Sequence, residues 1–216
     1  MAFFDDVFRD VDRLLRMGAR PVELLFHPGS IVVASYRIGR ALRALPRPIG
    51  RPLAAAHRPV DLLLQTVTST EIPAGADIGG GLHLSHTGGI VISPDARIGR
   101  DCNLSQGVTI GIGGRGEKRG TPFICDRVYI GPGAKVFGNI RIGNDVAIGA
   151  NAVVNQDVPD GAVVAGIPAK VVSNKGSQDF VMPGRRRPTL GRMLSALLGG
   201  KVGKLMAPAR RLLAAA

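Results

Sequence analysis

The chain has 216 residues, 28 Lys and Arg against 16 Asp and Glu, a net charge of +12, 30 glycines, four histidines, two cysteines and no tryptophan. Two cysteines without CxxC spacing exclude a disulfide framework, and no apolar run reaches the length needed to cross a bilayer. Asp5, Asp6 and Asp10 stand where a secretory signal would carry positive charge, so the cytoplasm is the expected compartment.

From the start, Phe4, Val7, Phe8, Val11, Leu14 and Leu15 recur at helical spacing, with acids and arginines on the other side, and predict a helix over 3–17. Pro21 and Pro28-Gly29 punctuate the stretch after it. Ser30 reads as the cap of a second helix that turns Ile31, Ala34, Ile38, Ala41 and Leu42 inward, with Pro46, Pro48 and Pro52 ending it. A third helix is expected from Leu53 to about Thr68. Residues 1–70 are therefore a helical segment that caps the domain beginning at 71 and is placed to carry subunit contacts.

From 71 to 172 the pattern changes to a ladder of aliphatic residues six apart. It runs Ile72, Ile78, Leu84, then jumps eight to Ile92, Ile98, Leu104 and Ile110; it resumes at Ile124 and continues through Ile130, Val136, Ile142, Ile148 and Val154. A small or apolar companion sits two residues before most of these, Cys102 and Ala134 among them. A six-residue period fits neither an α-helix nor a hairpin sheet and marks a β-helix. The fold class is mainly β: a left-handed parallel β-helix of hexapeptide repeats, with an N-terminal α-helical segment and a basic C-terminal tail. Cys102, as an inward companion, is expected to be a buried thiol and not a nucleophile.

Two breaks in the ladder locate candidate function, because insertions into a repeat map to loops on a rigid scaffold. One lies between Leu84 and Ile90 and holds Ser85-His86-Thr87-Gly88-Gly89. The other lies between Ile110 and Ile124 and holds Arg115, Lys118, Arg119 and Thr121. His83, one residue before a ladder position, reads as a surface side chain. The repeat supplies only His83 and His86, too few for the three imidazoles of a β-helical zinc site, so no metal is expected.

Residues 173–216 are a basic linker and an amphipathic or solvated tail. They hold nine basic residues against Asp179 alone, with Leu190, Met193, Leu194, Leu197 and Leu198 suggesting one short amphipathic helix and Val202, Leu205, Met206, Leu212 and Leu213 another. Such a tail stays in solvent or lies on anionic lipid or on a partner. Nucleic acid is a poorer fit, since no aromatic residues interleave the charge.

Glu71-Ile72-Pro73, the run from Leu84 to Val91, Gly107-Val108-Thr109-Ile110-Gly111, Ile130-Gly131-Pro132-Gly133-Ala134-Lys135 and Gly166-Ile167-Pro168-Ala169-Lys170 together resemble the serine O-acetyltransferase family of hexapeptide acyltransferases. The resemblance covers roughly residues 20–172. It implies an acetyl-CoA-dependent O-acetyltransferase of cysteine biosynthesis, a homotrimer or dimer of trimers, with acetyl-CoA in the groove between adjacent β-helices. It implies His86 as general base and Glu71 as its carboxylate partner. For the acyl donor it implies Gly111 and Gly113 near the thioester carbonyl. Gly131, Ala134, Gly149 and Ala150 would keep the coil surface low for the pantetheine arm, and Lys170, or Arg119 or Lys135, would meet the phosphates. The acceptor side falls on Ser85, Arg115, Arg119 and Thr121. Here the chain departs from the family, with Ser85 for an Asp, Pro73 for the His after the partner carboxylate's Ile, and Gly120-Thr121-Pro122 for Arg-His-Pro. It ends in Ala216 and not in the Ile that docks on the next enzyme of cysteine synthesis. Serine is the leading acceptor; a sugar hydroxyl in polysaccharide biosynthesis and a non-catalytic scaffold with a membrane- or partner-binding tail are the alternatives.

Overall fold

The computed structural model describes residues 2–181. Four helices lead: α1 (Ala2–Arg16), α2 (Pro21–Phe26), α3 (Pro28–Ala44) and α4 (Arg47–Thr68). The short strands after them stack into three sheets, one on each side of a triangular coil. Sheet A takes Thr70–Glu71, Ile90–Ile92, Thr109–Gly111, Lys135–Phe137 and Val153–Val154. Sheet B takes Asp77–Ile78, Arg97–Ile98, Phe123–Ile124 and Arg141–Ile142. Sheet C takes His83–Leu84, Asn103–Leu104, Tyr129–Ile130, Ala147–Ile148, Val163–Ala165 and Lys170–Ser173. The chain visits A, B and C in turn, and all pairings are parallel except that of Lys170–Ser173 with Val163–Ala165, which closes the C-terminal end antiparallel. This is the left-handed parallel β-helix expected from the hexapeptide period.

The register follows the ladder. Ile78 pairs with Ile98, Ile92 with Ile110, Leu104 with Ile130 and Ile130 with Ile148. The ladder residues from Ile72 to Val154 are at most 3 % exposed, and their small companions Ala76, Ala96, Cys102, Val108, Ala134 and Ala152 are fully enclosed. Each buried aliphatic side chain contributes about 1.5–3 kcal/mol of transfer free energy, and stacking on its counterpart makes a continuous core without a wide interior. At the corner from sheet C to sheet A the backbone turns left-handed in each coil. Gly107 (φ +74°) sits on Gly133 (φ +73°), where an added Cβ would press to 3.2 Å of the Gly133 Cα; the close stacking of corners leaves no room for a side chain there.

A solenoid needs its first coil capped, and the helices do this with polar side chains. Only sheet A has a true preceding strand, Thr70–Glu71. On sheets B and C the open backbone edge is met by α3 and α1. The Tyr36 hydroxyl donates to Ala76 O (2.9 Å) and accepts from Ile78 N (3.1 Å), while Arg37 donates to Ile78 O (2.6 Å) and Gly79 O (2.7 Å). Asp10 accepts from Gly81 N (2.6 Å) and Leu82 N (3.0 Å) and pairs with Arg37 (2.8 Å); Arg13 donates to Gly81 O, Cys102 O and Asn103 Oδ1. Side chains thus stand in for the hydrogen bonds of a missing coil.

This arrangement corrects several expectations for the helical segment. The cap of α3 is His27, whose Nδ1 accepts from Ser30 N (3.3 Å), with Pro28 as the first helical residue; the cap is not Ser30. The buried face of α3 is Gly29, Val32, Val33, Ser35, Tyr36, Arg37 and Gly39, and Ile31 and Ile38 point outward at 37 % and 45 % exposure. The polar edge of the coil selects Tyr36 and Arg37 over the isoleucines. α2 lies where only punctuation was read, and α4 begins at Arg47, with Pro48 in its first turn and Pro52 and Pro59 accommodated within it.

After Ser173 the chain turns back along sheet C. Ser177 binds Asp145 O (2.9 Å) and Arg127 O (2.5 Å), and Phe180 stacks on Tyr129 with ring centroids 4.6 Å apart. Asn103 then donates to Phe180 O (2.7 Å). The expected amphipathic helices at 190–198 and 202–213, and most of the basic tail, lie outside the described residues.

Candidate functional site

The two extra residues of the first ladder break fall at the corner from sheet C to sheet A in the first coil. Leu84 is buried; Ser85 and Thr87 are half-buried, and His86 is exposed. The bulge is anchored at both ends. The α3 N-terminus packs against its start, where a Cβ on Gly29 would come within 2.8 Å of Leu84 O. At its end, Gly88 N donates to Thr70 Oγ1 (3.1 Å) and Gly88 O accepts from Gly107 N (2.7 Å). Thr70 is the residue before Glu71, and Glu71 pairs with Val91 on the outward side of sheet A. The tie through Thr70 therefore brings the His86 bulge and the Glu71 strand to one edge of sheet A. Both side chains are exposed, and among the described residues neither makes a hydrogen bond or ion pair within this chain.

His83 is not the surface side chain expected. It is half-buried on sheet C beneath α1 and α3 and lines a small cavity of about 20 Å³ with Asp10, Leu14, His27, Ser30 and Val33. Burial, with Arg13, His27 and His86 nearby, lowers its pKa to about 4, and its Nδ1 has no partner among the described residues. It is a neutral imidazole at physiological pH. The Cys102 thiol is enclosed and pushed up to about 12 by burial, which suits a packed side chain and not a nucleophile.

The second break leaves the corner from sheet A to sheet B in the second coil. Its arms bridge at Gly113 and Gly120, a 3₁₀ turn at Gly116–Lys118 forms the tip, and the Thr121 hydroxyl donates to Asp95 O (3.0 Å). The loop leans over the later coils and borders an open cavity of about 580 Å³, lined by Arg115, Lys118, Phe137, Asn139, Asn155 and Gln156 among others. The His86 bulge and this loop thus flank sheet A from its two different corners.

The structure separates the other candidates in kind. Ala134 is wholly enclosed, so its methyl group cannot floor a surface groove; its small size serves the interior. Gly131 is buried, Gly149 half-buried and Ala150 exposed along one corner, and Gly111 ends a sheet A strand. Gly113 N already donates to Gly120 O (3.0 Å) and is not free to bind a carbonyl oxygen. Lys135 is committed to Gly107 O (2.6 Å) and Thr109 Oγ1 (3.0 Å), while Lys170 and Arg119 are exposed. Thr121 faces backbone, and Arg115 faces the cavity and not the His86 corner. Thr70 and the corner residues Asn139, Asn155 and Gln156 escaped the sequence reading, whereas Lys118 was read only as part of the insertion. A cationic insertion over a polar corner was the available signal for the last three of those missed. Among the described residues no cluster of His, Cys, Asp and Glu could hold a metal ion.

Residues 121–156 match the family model for bacterial transferase hexapeptide (six repeats). The chain is 39 % identical over 150 residues to a serine acetyltransferase of Helicobacter pylori, covering 69 % of this chain and 84 % of that one. Among solved structures, it resembles a Neisseria gonorrhoeae serine acetyltransferase in complex with serine at TM-score 0.65 and 30 % identity, over 79 % of this chain and 69 % of that one. A Brucella abortus serine acetyltransferase in complex with coenzyme A gives TM-score 0.63 and 27 % identity, over 81 % and 68 %.

Proposed function

Since the chain belongs to the serine acetyltransferase family, we propose that it transfers the acetyl group of acetyl-CoA to the hydroxyl of L-serine, giving O-acetylserine and CoA, with His86 as general base. The observation that carries this reading is the anchored bulge, which presents an exposed imidazole at the edge of sheet A that also holds Glu71. A serine hydroxyl is a poor nucleophile at neutral pH. Neutral His86 takes its proton as the oxygen attacks the thioester carbonyl. The tetrahedral intermediate collapses, the carbon–sulfur bond breaks, and the CoA thiolate recovers the proton from the imidazolium. Glu71, on the same edge of sheet A, steadies the ring and its positive charge.

The acyl donor fits the cavity beneath the insertion loop, where Arg115 and Lys118 would face its phosphates and the coil corner its pantetheine arm. Because this cavity and His86 stand at different corners of sheet A, the working site is completed by a neighbouring copy, whose loop supplies the groove. A homotrimer satisfies that requirement for all three copies at once. The two cysteines are unpaired, and with an intracellular thioester as donor a cytoplasmic location fits.

One observation favours a second acceptor, a sugar hydroxyl. Thr121 is tied to Asp95 O and Arg115 lines the cavity under the loop, so neither of these two is directed at the His86 corner to hold an amino-acid carboxylate. Thiol release measured with L-serine and with sugar hydroxyls as competing acceptors separates the two. Faster turnover with serine supports the proposal; release dependent on sugars alone overturns it. A scaffold without catalysis would bind no acetyl-CoA in a calorimetric titration.

A further inference from the structure

We propose, on the reading that His86 deprotonates the acceptor, that Lys135 holds the acceptor's carboxylate and so selects an amino acid over a sugar. The outward residues of sheet A run Glu71, Val91, Thr109 and Lys135 in successive coils, each paired with the next. Lys135 leans back along this column toward the first coil, donating to Thr109 Oγ1 (3.0 Å) and Gly107 O (2.6 Å). The N–H of Gly107 in turn donates to Gly88 O (2.7 Å), in the bulge that carries His86. The ammonium is thereby placed on the corner that bears the bulge, one coil further along the solenoid.

Two properties of this place suit a carboxylate. An ammonium has three N–H donors, and the contacts within the chain use two of them. Lys135 is half-buried and makes no ion pair among the described residues, so its charge is partly withdrawn from water without a counter-ion. The corner between it and the bulge is also bare. Gly89 (φ +66°), Gly107 and Gly133 stack there, and a Cβ on Gly89 would lie 3.4 Å from the Gly107 Cα. These three residues present only backbone, and Gly89 is exposed. Glu71 and Thr109 are two strand spacings apart, about 10 Å, which sets the scale of the site at one small acceptor. A sugar hydroxyl brings no charge to Lys135. A serine carboxylate supplies the missing counter-ion in a charge-assisted hydrogen bond, gripped by a point charge and not by the two-pronged fork of an arginine.

The test measures thiol release by the full-length protein with L-serine and with L-serinamide, whose carboxamide carries no charge, as acceptors. Lys135→Gln, which keeps a polar group for the corner without the charge, is compared with the parent, and Lys135→Met serves as a second uncharged variant. The expected result is a rise of about 10- to 100-fold in KM for L-serine, with KM for L-serinamide and for acetyl-CoA unchanged. Lys135→Arg keeps the charge and should recover most of the affinity for L-serine. An equal loss with both acceptors overturns the proposal, because Lys135 would then only clip Thr109 to the corner. A rise in KM for acetyl-CoA alone overturns it too, as the ammonium would then meet the donor's phosphates. If KM for L-serine is unchanged while His86→Ala still loses turnover, Lys135 is not the clamp and the catalytic reading stands. No thiol release with L-serine in the parent overturns both.

Discussion

Inside the coils, side chains stack without needing any partner; in the seam between the helices and the first coil, nearly every side chain needs one. The column from Ile72 to Val154 is aliphatic and dry, and any residue of similar size at the same phase would serve. The seam under α1 and α3 holds Asp10, Arg13, Tyr36 and Arg37, each bonded to a particular backbone group of residues 76–82 or to another member of the set. The contrast shows how a repeat can be ended. Apolar surface is covered by stacking more of the same, whereas an open strand edge demands donors and acceptors in register.

The largest stability effects should come from breaking the seam. Asp10→Ala removes the acceptor of Gly81 N and Leu82 N and the close carboxylate of the buried Arg37 guanidinium, leaving it Asp6 at 3.8 Å; a loss of about 3–5 kcal/mol is expected by denaturant unfolding. A buried ion pair can often be replaced by apolar residues at little cost, but here Asp10→Leu/Arg37→Met should not recover stability, because Ile78 O and Gly79 O would still lack donors. Recovery to the parent value would show that the pair, and not the coil edge, is what matters.

In the column, Ile130→Ala should cost about 2–5 kcal/mol through the cavity it leaves, while Ile130→Leu should cost under about 1.5 kcal/mol. The seam would tolerate no such exchange.

His83 gives a smaller, pH-dependent effect. Its folded pKa, about 4, lies below the ordinary value of 6.5 because of burial and the neighbouring Arg13, His27 and His86. The unfolded chain therefore takes up a proton that the folded chain refuses. The contribution is intact above about pH 6.5 and is lost as pH falls toward 4, by up to about 3 kcal/mol. Unfolding of His83→Gln measured over that range should lack this component. The smallest effect is expected outside both regions, where Arg141 lies 5.6 Å over the exposed Phe123 ring; Arg141→Ala should change stability by about 0.5 kcal/mol or less.

The same contrast explains what could be read from the residues alone. The ladder was legible through both interruptions, because a period of six repeated across the chain leaves one fold and one phase. The bulge that exposes His86 was legible from the first interruption, and the strand that carries Glu71 from the start of the ladder. The helical segment was legible in outline, but its facing was not. An amphipathic pattern predicts which side of a helix is apolar, and α1 and α3 are oriented by an unpaired backbone edge that no periodicity records. His83 was misplaced for a related reason, since its outward position in the coil is outward only until α1 and α3 cover it. Ala134 was assigned to the surface although its place two residues before Val136 puts it inside. The cavity beneath the insertion loop depends on the direction in which the loop folds, which its glycines leave open.

The central claim is that the bulged histidine does the chemistry. CoA release from acetyl-CoA in the presence of L-serine, measured for the parent chain and for His86→Ala, tests it most directly. A fall in turnover of about 10²–10⁴-fold, with acetyl-CoA affinity unchanged by calorimetry, is the predicted result; turnover close to that of the parent chain would contradict it.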